Sequence, residues 1–112
     1  MTVTDLGDSL GYECMQDHYE DGNVSTGYTS DLLSDVMANA PDESVLITIQ
    51  AHKNTVAVAT LAGARAVIIC NSRPVPEDMV DAAKSEGIAI FRTDKNQFTV
   101  STEVYEKLKE SS

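Results

Sequence analysis

The segment Gln50-Ala51-His52-Lys53-Asn54-Thr55 places an imidazole, an ammonium, two amides and a hydroxyl between two apolar runs. Such a set suits recognition of a small polar or anionic ligand, with the amides and hydroxyl giving directed hydrogen bonds and Lys53 giving charge. Asn71-Ser72-Arg73 and Arg92-Thr93-Asp94 have the same character, and each also follows an apolar run. The candidate ligand-binding residues are therefore Gln50, His52, Lys53, Asn54, Thr55, Asn71, Arg73 and Thr93, with Arg73 and Lys53 as the anchors for an anion. The same residue types cap helices and turn chains, Asn54, Asn71 and Thr93 above all, and that role stands beside ligand binding.

Catalysis asks for more than these residues offer. A general base at His52 needs a positioned partner, and no HxxxH, HxH or Cys–His spacing supplies one. Asp31 and Asp35 lie four apart on a helix-patterned segment with Ser34 beside them. Paired carboxylates can hold Mg²⁺, although the solvated face of a helix is their commoner setting. A metal-dependent enzyme using His52 with one of these acids is the catalytic alternative. The chain has no GxxxxGK[ST] loop, no GxGxxG after a strand and no GxSxG elbow, so it lacks a phosphate-binding loop of a recognised kind. Neither a catalytic set nor a metal site nor a cofactor is expected.

The elements that must position these residues are readable from Tyr28 onward. Ser30 is placed to cap a helix with Asp31 in its first turn, and Leu32, Leu33, Val36, Met37 and Ala40 recur at helical spacing until Pro41. SVLITI (44–49) is a continuous β-branched run, the pattern of a strand buried on both faces. Asn54 to Ala64 reads as a helix that is apolar nearly all round, and AVIIC (66–70) as a second buried strand. Pro76, Glu77 and Asp78 open the next helix, Met79, Val80 and Ala83 give its inner face, and Gly87 fits its C-terminal cap. IAIF (88–91) is a third strand, and Val100, Val104 and Leu108 mark a last helix. Strands alternating with helices imply right-handed βαβ units, a parallel sheet and an α/β architecture with helices on both faces. In such a sheet the carboxyl ends of the strands form the ligand side, and all three polar segments fall there. Before Tyr28 the pattern is weaker: a short helix over Val3 to Leu10, a short strand over Tyr12 to Met15, then loop chemistry through Gly22 to Gly27.

At 112 residues the chain is expected to form one domain with a single core. Its net charge of -10 excludes electrostatic binding to nucleic acid or to an anionic membrane surface, which needs clustered Lys and Arg. No apolar run approaches the roughly 20 residues of a transmembrane helix, and MTVTDLGDSL lacks the pattern of a signal peptide. Cys14 and Cys70 are far apart and follow no metal spacing, so a reduced, cytoplasmic protein is expected.

The stretches SDLLSDVMANA, ITIQAHKNTVAVA, ICNSRPVP and EGIAIFRTD resemble the DRTGG domain family, over most of the chain from about Val24 to the last helix. That domain is similar to the N-terminal, non-catalytic domain of HPr kinase/phosphorylase. The chain departs at the motif that names the family: DGNVSTGY puts Ser25 and Thr26 before Gly27, where members carry an arginine, a threonine and two glycines. A positive-φ turn at Gly27 is still expected. The resemblance implies a three-layer α/β/α sandwich with a mostly parallel sheet, forming a single domain over 1–112, of which 1–23 is the least covered part. It also implies a regulatory or dimerising module that is a homodimer and binds a partner protein or a small effector. Its partners would be hydrogenase-associated proteins or histidine-kinase-like ATPases, in the carbon or hydrogen metabolism of an anaerobe. A sensing domain for a nucleotide or phosphorylated metabolite is the alternative, with the small anion held at the strand ends.

Overall fold

The structure, a computed structural model, describes residues 1–111. In chain order its elements are α1 Val3–Leu10, β1 Glu13–Gln16, β2 Thr26–Thr29, α2 Leu33–Asn39 and β3 Ser44–Thr48, then α3 Lys53–Ala62, β4 Ala66–Ile69, α4 Glu77–Glu86, β5 Ala89–Arg92 and α5 Gln97–Glu110. The strands form one sheet in the order β1-β5-β4-β3-β2. Neighbours from β2 to β5 run parallel, and β1 alone runs antiparallel, along β5. This is the α/β architecture expected from the alternation of strands and helices, in the mostly parallel three-layer form that the resemblance implies.

Every residue of β3 and β4 is buried, because helices cover both faces of the sheet. Alternation along each strand sends successive side chains to opposite layers. Val45 and Ile47, with Ile68 and Phe91, meet Val3 and Leu6 of α1 and Val100 and Val104 of α5. Leu46, Val67, Ile69 and Ile90 meet Val36 of α2, Val56 and Ala59 of α3, and Met79 and Ala83 of α4. The three crossover helices thus share one face, and the first and last helices share the other. Gly63 and Gly87 end α3 and α4 in the left-handed conformation, the geometry that Gly87 was expected to supply. Among the described residues, no helix is long and apolar enough to cross a membrane.

Four expectations fail. The segment before Tyr28 is not all loop, since β2 begins at Thr26 and lies parallel to β3 on the sheet's edge. Its four residues are half-buried or exposed and carry no apolar run. Their extended form comes from pairing with β3, which begins with the Ser25 N–H donating to the Glu43 carbonyl at 2.9 Å. Gly27 therefore sits in a strand, and the positive-φ glycines are Gly11, Gly63 and Gly87. Finally, Ser30 does not cap α2. The cap position is Leu32, with no side-chain cap bond, and the Ser30 hydroxyl accepts from the Leu32 N–H at 3.3 Å in the turn before it. Asp31 precedes the helix rather than entering its first turn, because its carboxylate is drawn to the end of β3. The remaining bounds move by a residue or two: β1 starts at Glu13, α3 at Lys53 and β5 at Ala89.

Candidate functional site

The carboxyl end of β3 is built around Asp31. Its Oδ1 accepts from the Thr48 hydroxyl at 2.9 Å, the Ile49 N–H at 3.0 Å and the Gln97 amide at 2.9 Å. One carboxylate thereby ties the β2–α2 turn, the end of β3 and the start of α5. The chain then enters α3 through Gln50 and His52. The Gln50 carbonyl accepts from the Thr55 hydroxyl at 2.7 Å, and Thr55 is fully buried. Thr55 therefore braces the corner rather than facing a ligand. His52 occupies the cap position with extended backbone and makes no side-chain cap bond. Its ring is exposed, as are Lys53 and Asn54, so the first turn of α3 presents its backbone N–H end to solvent beside two side chains that can carry charge.

Gln50, His52 and Arg73 line one cavity of about 210 Å³, with Ile49, Ala51 and Pro74. Lys53 and Asn54 stand on the adjoining turn. Thr93 instead lines a separate cavity of about 390 Å³, with Tyr12, Ser72, Arg92 and Lys95 among its walls. Asn71 lines neither. The chain leaves β4 for one face of the sheet and β5 for the other, a divergence that in parallel α/β sheets opens a crevice for ligands. Here the divergence is stitched shut. The Asn71 N–H donates to the Lys95 carbonyl at 3.0 Å, the Ser72 N–H to the Thr93 carbonyl at 2.9 Å and the Thr93 N–H to the Ile69 carbonyl at 3.0 Å. Asn71 and Ser72 take positive φ values of 60° and 52° to make this closure. The eight candidates thus divide: Gln50, His52 and Arg73 converge, Lys53 and Asn54 flank them, and Thr55, Asn71 and Thr93 have structural bonds elsewhere.

The acids do not converge with His52. Asp35 accepts from the Tyr28 phenol at 2.8 Å and the Asn39 amide at 2.9 Å. The Asn39 bond, then those of Ser30 and Tyr28, hold its carboxyl below the ordinary range. Asp31 is committed to its own three donors, so the pair shares no site. Among the described residues, no cluster of three or more His, Cys, Asp and Glu side chains is placed to hold a metal ion. Beside the Thr93 cavity, Glu103 bonds Lys95 at 2.8 Å and accepts from the Tyr12 phenol. Lys95 first and Tyr12 second lower the Glu103 carboxyl, while burial, then Glu103 itself, raises Tyr12. Burial likewise pushes the Cys70 thiol up to about 11, which leaves it neutral and inert at pH 7.

A third feature escaped the sequence. A groove of about 430 Å³ runs between β2 and α5, walled by Ser25, Thr26 and Gly27 on one side and Ser101, Tyr105 and Leu108 on the other. The Thr29 and Ser101 hydroxyls bond across it at 2.7 Å. The segment that forms its β2 wall carries no apolar run, so its own pattern does not mark a strand.

Fold and site together define a mostly parallel α/β/α domain with two separate strand-end cavities and no assembled catalytic set among the described residues. No family model matches the chain, and no curated protein sequence matches it. Its fold is similar to the crystal structure of the CBS and DRTGG domains of the regulatory region of Clostridium perfringens pyrophosphatase, complexed with the activator diadenosine tetraphosphate. The TM-score is 0.70 at 12% identity, over 92% of this chain and 45% of that one. The chain spans less than half the length of that neighbour.

Proposed function

We propose that this chain is a non-catalytic regulatory module of the DRTGG kind, a single domain over 1–112 that works by contact, as a homodimer and with a partner protein. The observation that carries this reading is the outer surface of α2 and α3. Leu61 is 73% exposed, Leu32 65% and Met37 45%, on a chain whose net charge is -10. Large apolar side chains left uncovered on neighbouring helices mark a surface that another protein covers. The resemblance in SDLLSDVMANA and ITIQAHKNTVAVA, and the fold shared with a regulatory region, support the same reading. Hydrogenase-associated proteins and histidine-kinase-like ATPases are the partner classes that the resemblance adds. Light scattering tests self-association: a dimer mass is expected, and a strict monomer at high micromolar concentration overturns that part.

A second reading is favoured by the convergence of Gln50, His52 and Arg73 at the uncapped start of α3. Backbone N–H groups at a helix N-terminus beside an arginine suit a small anionic effector. A cavity of about 210 Å³ lies below the roughly 300 Å³ of a typical small-molecule site. It matches a phosphate or carboxylate group rather than a whole dinucleotide. Thermal unfolding with ATP, AMP and glucose 6-phosphate decides the matter: a stabilising shift that Arg73→Ala abolishes supports the effector site. No shift with any of them removes it.

A further inference from the structure

We propose that β2 is the edge through which this protein meets a second copy of itself, the two β2 strands pairing antiparallel so that two sheets join across a two-fold axis. This deepens the homodimer reading above and rests on it.

The sheet ends in two edges that differ in kind. β1 starts with the charged Glu13, is followed by Asp17, and slips register against β5 between Cys14 and Gln16. Charge and irregularity are the devices that keep an edge from pairing. β2 has neither. Residues 25–30 read STGYTS, without a charge or a proline, and β2 follows β3 in unbroken register from Thr26 to Thr29. The Ser30 N–H points inward to the Ile47 carbonyl at 3.2 Å, so alternation along the strand turns the amides of Gly27 and Thr29 toward the open side.

Charge selects the occupant. With 18 Asp and Glu against 8 Lys and Arg, any two copies repel, and self-contact is favoured where acids are missing. The groove beside β2 is such a place: the hydroxyls of Thr29 and Ser101 stand with Gly27 over Ile47 and Val104, and no Asp or Glu lines it. A neutral strip of hydroxyl and apolar groups is compatible with itself, whereas a charged partner would meet a single charged side chain there, Lys109. A two-fold axis pairs an edge with its own copy only antiparallel, with the axis perpendicular to the sheet. Both α5 helices then lie on the same side of the seam, and Tyr105, 66% exposed on the groove's rim, approaches it from each protomer.

The test is the mass of the full chain over a concentration series, by light scattering and sedimentation, for four variants beside the parent. Thr29→Pro removes an outward donor at the last residue of β2, where proline is tolerated on an edge strand and the pairing with β3 keeps its donors. Thr29→Lys sets like charges against each other at the seam. Ser85→Lys on α4 controls for added charge, and Leu61→Glu probes the outer surface of α3. Circular dichroism confirms that each is folded. We expect a dimer for the parent, at least about tenfold weaker association in both β2 variants, and no change in Ser85→Lys. A parent dimer that survives both β2 substitutions overturns the edge assignment and leaves the homodimer reading standing, whether or not Leu61→Glu breaks it. A monomeric parent at high micromolar concentration overturns both.

Discussion

Asp31 is the residue on which the strand-end corner depends. Sequence pattern makes it a first-turn acid, and the structure makes it a shared acceptor for three elements. Nothing in the pattern separates the two roles, because the donors arrive from residues 17 to 66 positions away. Truncating it leaves the fully buried Thr48 hydroxyl and the Ile49 N–H without their acceptor. Asp31→Ala should therefore cost about 2–3 kcal/mol, read from urea unfolding, and Asp31→Asn, which keeps an acceptor oxygen, about 1 kcal/mol. An alanine variant as stable as the parent would mean that water replaces the carboxylate at no cost. The candidate site was legible to a similar degree. Polar type and strand-end position single out Gln50, His52 and Arg73, which line one cavity. They do not reveal that Thr55 folds back on the Gln50 carbonyl, or that Asn71 and Thr93 lie in loops zipped together through the backbone.

At the scale of elements, burial decided what could be read. β3 and β4 are buried throughout, and their unbroken β-branched runs announce them. β2 is a strand by virtue of its neighbour alone and left no trace in its own composition. The α2 stripe misled in another way: its spacing is helical, yet Val36 is its one buried member and Leu32 and Met37 face outward. Packing between elements also reverses an ordinary propensity argument at Gly7. Replacing a helical glycine by alanine normally gains up to about 1 kcal/mol. A Cβ at Gly7, however, would lie 2.7 Å from the Phe91 ring, which is buried in the layer beneath α1. Forcing that ring aside costs about 1–3 kcal/mol, so Gly7→Ala is expected to lower the urea midpoint. A raised midpoint would show that α1 can lift away from β5 at little cost.

For the whole molecule, acidity sets the response to pH. Hydrogen bonds and Lys95 lower Glu103, the Asn39 bond leads in lowering Asp35, and the Ser25 bond leads in lowering Glu43. Each binds its proton less readily folded than unfolded. Its stabilisation is therefore complete above the ordinary carboxylate range of about 4 and is lost as pH falls through the depressed value. Relief of self-repulsion near the isoelectric point of about 4.3 acts in the opposite sense. The difference between parent and Glu103→Gln removes most of that shared effect: the substitution should destabilise at pH 7 and converge on the parent near pH 3. A constant gap across that range would mean that Glu103 contributes through packing alone. The unequal edges of the sheet bear on growth. A strand edge that accepts a copy on both sides builds filaments without limit, as open head-to-tail contacts do. The break between Cys14 and Gln16 makes β1 a poor template, so the proposed pairing along β2 would use up the bare edge and close the assembly at two.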